Sequence, residues 1–127
     1  GLVDERSEVA GCVCGVPQRD VGPRTDVLDG CPKAEGLMLM IRALSPQVVA
    51  ADEIGRPEDA VAVMEALHAG VAVLATAHGA GPSDVRRRPA LAELLRAGAF
   101  ERAVVLGRSR GPGTVEAVLD LAREVVA

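Results

Sequence analysis

The chain has no tryptophan, no tyrosine and a single phenylalanine, Phe100, in 127 residues. A stacking platform for single-stranded nucleic acid is built from aromatic rings, so that platform is excluded. Lysine is nearly absent as well: of 14 basic residues only Lys33 is lysine, and the rest are arginine. A net charge of −4 leaves no basic footprint for a dedicated nucleic-acid binder. No apolar run approaches the ~18–20 residues that span a bilayer. No signal peptide opens the chain, because Asp4-Glu5-Arg6 brings in charge almost at once. There is no initiator Met, and residues 1–4 read as the middle of a strand, which predicts a chain cut at its start. Cys12, Cys14 and Cys31 are an odd number and read as reduced thiols. Zinc is not expected: Cys12 and Cys14 are spaced C-x-C, and His68 and His78 fall on other elements.

What is present is 49% apolar material, enough for a core of Val, Leu, Ile and Ala. The length suits one domain or part of a larger one. Leu2-Val3 followed by Asp4-Glu5 reads as the carboxyl end of a buried strand. Residues 11–32 hold four Gly, three Pro and all three Cys, with no helical or strand period. A loop of that length with sparse mixed charges is expected to be functional. Leu37, Met40, Ile41 and Leu44 recur at i, i+3, i+4, i+7 and predict a helix over 33–44, stopped by Ser45-Pro46. Val48-Val49-Ala50-Ala51 is a continuous apolar run, as in a parallel strand covered on both faces. Pro57 opens a helix to Ala69, with Ala60, Val63, Met64 and Leu67 as its buried stripe and Gly70 just past its end. Residues 71–75 predict another strand. Ser83 is expected to cap a short helix, Pro89 to start one that ends at Gly98, and residues 104–106 to form a strand. After a turn at Gly111-Pro112-Gly113, residues 114–126 fit either the return arm of a hairpin or a helix. The alternation is α/β, a mostly parallel sheet flanked by helices, with no linker dividing it.

In open α/β sheets, ligands bind beyond the carboxyl ends of the strands. Those ends carry Asp4-Glu5, Asp52-Glu53 and Thr76-Ala77-His78, which points to one site. Asp52-Glu53 after four small apolar residues resembles a Walker B strand end. There, one acid positions Mg²⁺ through water and a second carboxylate orients the attacking water. The alternative for such an acid is a helix cap, and for His78 a structural side chain. His68, near the end of a helix, suits the helix dipole or solvent.

Long runs carry a more specific resemblance: GLVDERSEVAGC, GVPQRDVGPRTDVLDGCPKAEG, IRALSP, ADEIGRPED, TAHG and RGPGTVE. Together they resemble the stage III sporulation protein AA family over residues 1 to about 120. That family is a group of RecA-like P-loop ATPases related to the motors of type II and type IV secretion. The resemblance implies a partial RecA-like P-loop NTPase core whose first, P-loop strand is missing, with residues 1–127 the C-terminal portion of one ATPase domain. It implies ATP and Mg²⁺ as cofactors. Among secretion motors the acidic box reads Glu-Asp-Pro-x-Glu; here Asp4-Glu5-Arg6-Ser7-Glu8 swaps the first acids, replaces Pro by Arg6 and keeps Glu8. Gln18-Arg19-Asp20-Val21-Gly22 matches Gln-x-Glu-Val-Gly with Asp for Glu, and Ile41 to Pro46 resembles Leu-Arg-x-x-Pro with one extra residue. Thr76-Ala77-His78 matches the Thr-x-His box.

By that resemblance Glu53 orients the hydrolytic water, and Asp52 holds the Mg²⁺ hydration shell. Glu5 and Glu8 belong to the acidic box, with Asp4 and Thr76 near the nucleotide, and His78 senses the γ-phosphate. Arg42, with Arg24 and Arg56 as rivals, is a candidate to act on a neighbouring subunit's site. The implied assembly is a ring, a homohexamer, on a membrane-embedded sporulation channel complex. The implied location is cytoplasmic and peripheral to the membrane, on the mother-cell side of the forespore boundary. Arg86-Arg87-Arg88 reads as a solvated face, with an acidic subunit edge or an anionic membrane surface as the alternative. A secretion or pilus motor and a non-enzymatic binding module remain alternative functions. The phosphate cradle Gly-x-x-x-x-Gly-Lys-Ser/Thr is absent, and Lys33, in Gly30-Cys31-Pro32-Lys33-Ala34, is not its lysine. The cradle is therefore expected roughly 25–40 residues before Gly1, one helix and a connection away. The strands at 71–75 and 104–106 are expected to lie apart or to pair abnormally.

Overall fold

Short, mostly apolar segments of three or four residues make the strands of the first half. The computed structural model describes residues 1–124. The chain divides into two compact units, Gly1–Ala77 and His78–Ala127. In the first unit β1 (Leu2–Asp4), β2 (Val27–Asp29), α1 (Lys33–Leu44), β3 (Val48–Ala51), α2 (Pro57–His68) and β4 (Ala72–Ala75) follow one another. The four strands are parallel, in the order β2-β1-β3-β4. Val3 stands opposite Leu28 and Ala51, and Ala51 opposite Ala75.

Both crossovers, β2 to β3 and β3 to β4, advance toward the same edge. Crossovers of one hand put their helices on one face. Accordingly α1 packs on β1, β3 and α2, while α2 packs on β4. Val3, Val49, Leu37, Met40 and Val63 form the closed interior. The expectation that β3 is covered on both faces is corrected: Val48 is 47% exposed and Leu74 on β4 is 66% exposed. The unit has only two helices, and both lie on the other face.

Gly36 explains how closely α1 approaches. A Cβ there would lie 2.5 Å from one Val3 methyl and 3.1 Å from the other. A mid-helix glycine costs about 1 kcal/mol against alanine, a cost offset by this contact with β1. The expected stripes need two corrections. Leu44, the last residue of α1, is half exposed. In α2 the buried apolar positions are Ala60, Ala62, Val63 and Ala66, not Met64 and Leu67. Three of these four are alanine, small enough for α2 to touch both the sheet and α1.

The long loop after β1 is held at its start by one carboxylate. Both Asp4 oxygens accept backbone N–H groups, from Glu8 at 3.0 Å, Val9 at 3.1 and 3.2 Å, and Ala10 at 2.8 Å. The Arg19 guanidinium donates to the carbonyls of Glu8 and Val9. β2 lies inside the stretch that showed no period. Three residues are too few to display one.

In the second unit α3 (Pro82–Arg86), α4 (Pro89–Arg96), β5 (Arg102–Gly107), β6 (Thr114–Asp120) and α5 (Leu121–Glu124) are described. Gly81, not Ser83, occupies the N-cap of α3. Asp84 organises this turn instead, accepting the Ala80 N–H at 3.2 Å and facing Arg87 and Arg88. Residues 114–120 take the hairpin alternative, pairing antiparallel with β5. Among the described residues of that stretch, 121–124 are helical, and positions 125 and 126 lie outside the described residues. β4 and β5 belong to different sheets.

Candidate functional site

The parallel order places the carboxyl ends of β1, β3 and β4 side by side, so Glu5, Asp52-Glu53 and Thr76 gather at one edge. The turn after β3 is held in an unusual backbone state. Glu53 has φ of 46°, the left-handed region that a side chain with a Cβ seldom adopts. Such strain persists only when neighbours over-determine it, and three contacts do so. The Glu53 N–H donates to Thr76 Oγ1 at 2.8 Å. The Ile54 N–H donates to the Thr76 carbonyl at 2.8 Å. Lys33 Nζ donates to the Glu53 carbonyl at 2.8 Å.

The side chains form a charge cluster around Arg6. Its guanidinium bonds the Glu53 carboxylate and lies 3.3 Å from Glu8 Oε2 and 3.7 Å from Asp52 Oδ2. The bond to Glu53 comes first, then the charges of Glu53 and Glu8, and together they raise the Arg6 pKa above its ordinary value. Asp52 is the more enclosed acid, its side chain 13% exposed against 41% for Glu53. Glu5 Oε2 lies 3.6 Å from Lys33 Nζ.

The expected residues therefore separate into groups. Glu53, Asp52 and Glu8 meet at Arg6. Glu5 is half-buried and joins the edge through Lys33, while Thr76 supports the backbone of Glu53. Asp4 does not offer its carboxylate to a ligand: it has no solvent exposure and both oxygens serve the loop backbone. Of the two swapped acids, Glu5 is the one available. Arg42 lies in the last turn of α1, nine residues from Lys33, or about 14 Å at 1.5 Å per residue. The structure does not bring it to this cluster. Arg24 lines a different feature, a cavity of about 530 Å³ beside Leu44, Val48 and Leu74. Arg56 is exposed at the start of α2. His78 is an exposed residue of the second unit.

Among the described residues no three acids, cysteines or histidines converge as a metal cage. The donor set suits a hydrated Mg²⁺ held through water, because Mg²⁺ keeps several waters and needs only one or two carboxylates. Asp52, the more enclosed acid of the cluster, is the carboxylate that could hold it. The phosphates of a nucleotide find no cradle here, since the one lysine is already committed to Glu53 and Glu5. Cys12 and Cys31 are free thiols with pKa values raised, first by burial and then by neighbouring acids, so they stay protonated near neutral pH.

The family model described as "Sporulation stage III, protein AA" matches residues 1–126. The chain belongs to that family. It is 58% identical over 120 residues to the stage III sporulation protein AA of Bacillus subtilis (strain 168), an alignment covering 94% of this chain. It spans only 39% of that relative's length. No solved structure matches. Among the described residues no helix is long and apolar enough to cross a membrane. For this family member, sequence reasoning missed two residues of the site. Arg6 was visible only as a departure from proline in the acidic box. Lys33 was singled out only to exclude it as a phosphate-binding lysine, although a sole lysine at a helix start was itself a signal.

Proposed function

We propose that this chain carries the hydrolytic side of a RecA-like P-loop ATPase and that the full-length protein supplies the phosphate cradle. The observation that carries the reading is the β3 end: Asp52 and Glu53 side by side, with Glu53 held in a left-handed turn by Thr76 and Lys33. ATP and Mg²⁺ are the ligands this arrangement suits. Bound Mg²⁺ would screen the charge of the transferring phosphoryl group. Asp52 would hold the ion through its water shell, and Glu53 would orient the attacking water and take up its proton. Glu5 and Glu8 add negative charge that attracts the hydrated cation. Arg6 competes with that water for the Glu53 carboxylate, so turnover requires the pair to open. Thr76 keeps the carboxylate's backbone fixed, and His78, two residues further on in the chain, is the side chain proposed to respond when the γ-phosphate leaves.

Ring assembly as a homohexamer, with Arg42 acting on a neighbouring subunit, suits Arg42's position away from its own strand ends. Work on a membrane-embedded sporulation complex from the mother-cell cytoplasm completes the proposal. The test is nucleotide binding and turnover by the full-length protein. Glu53→Gln is expected to retain ATP binding and abolish turnover. Turnover at the parent rate in that variant would remove Glu53 from the role. A non-enzymatic module is the second reading, favoured by Asp4, whose carboxylate serves only backbone. Absence of any nucleotide binding by the full-length protein would select it.

A further inference from the structure

We propose that Lys33 is a positioning residue for this site: its ammonium clamps the ends of β1 and β3 together and holds Glu53 in its left-handed turn. The inference deepens the ATPase reading and rests on it for its kinetic consequence.

Three observations converge on Lys33. It is only 9% exposed, unusual for a lysine. Its Nζ donates to the Glu53 carbonyl at 2.8 Å and faces Glu5 Oε2 at 3.6 Å, bridging the loop after β1 and the turn after β3. It is also the first residue of α1, where the helix dipole disfavours a positive charge. The residue before it, Pro32, offers no side-chain cap. Helix stability therefore does not explain a cation at this place, and neither does burial, since a buried ion pair is seldom better for stability than an apolar side chain of similar size. What the ammonium does is bond the carbonyl of the strained residue. Without that bond Glu53 relaxes toward ordinary φ, the N–H bond to Thr76 Oγ1 is lost, and the carboxylate no longer stands where it meets Arg6.

The experiment uses the full-length protein with Lys33→Met and Lys33→Arg. Three quantities are measured: ATP affinity, kcat, and amide hydrogen exchange at Glu53 and Ile54. The expected result for Lys33→Met is ATP affinity within about 3-fold of the parent, kcat lowered 10-fold or more, and faster exchange at those two amides. Lys33→Arg, which keeps a donor cation, is expected to recover most of the kcat. Unchanged kcat in a folded Lys33→Met protein overturns the proposal. So does a loss of ATP affinity at unchanged kcat, which would make Lys33 a nucleotide ligand. If Lys33→Met does not fold, Lys33→Gln, polar but too short to span the gap, is read in the same way. If the parent shows no turnover, the ATPase reading fails separately and exchange alone decides the clamp. Faster exchange at Glu53 and Ile54 then supports it, and unchanged exchange overturns it.

Discussion

Arg6 closes on the carboxylate of Glu53, 47 residues later in the chain, and ties the loop after β1 to the turn after β3. Both side chains are partly in solvent, and exposed pairs add little to stability because water and salt screen them. Arg6→Ala is expected to leave the thermal midpoint within about 2 °C of the parent. It also removes the competitor that Arg6 is to the attacking water at the Glu53 carboxylate, so ATP turnover by the full-length protein is expected to rise. A fall in turnover would show that Arg6 assists the reaction rather than competing with the water.

Asp4 has the opposite character. Its carboxylate is fully buried and accepts three backbone N–H groups. Asp4→Asn replaces one acceptor oxygen by an amide that confronts those donors. The expected loss is about 2–3 kcal/mol, read as a lower denaturation midpoint. A stability equal to the parent would mean that the loop is not anchored there.

Gly36→Ala tests the contact of α1 with β1. Helix propensity alone predicts a gain of about 1 kcal/mol. The added methyl meets the side chain of Val3, which is wholly buried and stiff at χ1. The clash is expected to win, with a net loss of about 1–3 kcal/mol in chemical denaturation. A more stable variant would mean that α1 sits further from the sheet.

Asp84 makes the second unit sensitive to acid. The Ala80 N–H, then the charges of Arg88 and Arg87, hold its pKa below the ordinary 3.8. A carboxylate with a depressed folded pKa contributes stability above its unfolded value, and that contribution fades as pH falls through the folded one. The α3 segment is therefore expected to lose amide protection below about pH 4, while Asp84→Asn lacks that pH dependence. Identical acid profiles for variant and parent would exclude Asp84 as the cause.

The alternation of short apolar runs with amphipathic stretches was enough to place β1, α1, β3, α2 and β4, and residues 33–44 and 48–51 match the expected bounds. Periodicity reports which side chains want burial, and that is a local property. The acids at the strand ends were legible for the same reason, because an apolar run that stops at a charge marks where a strand leaves the core. Other features depended on partners distant in sequence. Asp4 and Glu5 are adjacent and chemically alike, yet only the folded loop decides that one faces inward to the amides and the other outward to Lys33. Residues 114–120 carry a pattern that fits strand or helix, and pairing with β5 selects the strand. The left-handed backbone at Glu53 has no signature in the chain around it. Lys33 and Thr76 impose it from two separate segments, so the sequence alone determined which chemical groups stand at the strand ends. Tertiary structure decided which of them are held and which are free to act, because hydrogen bonds between distant segments, not local preference, set their geometry.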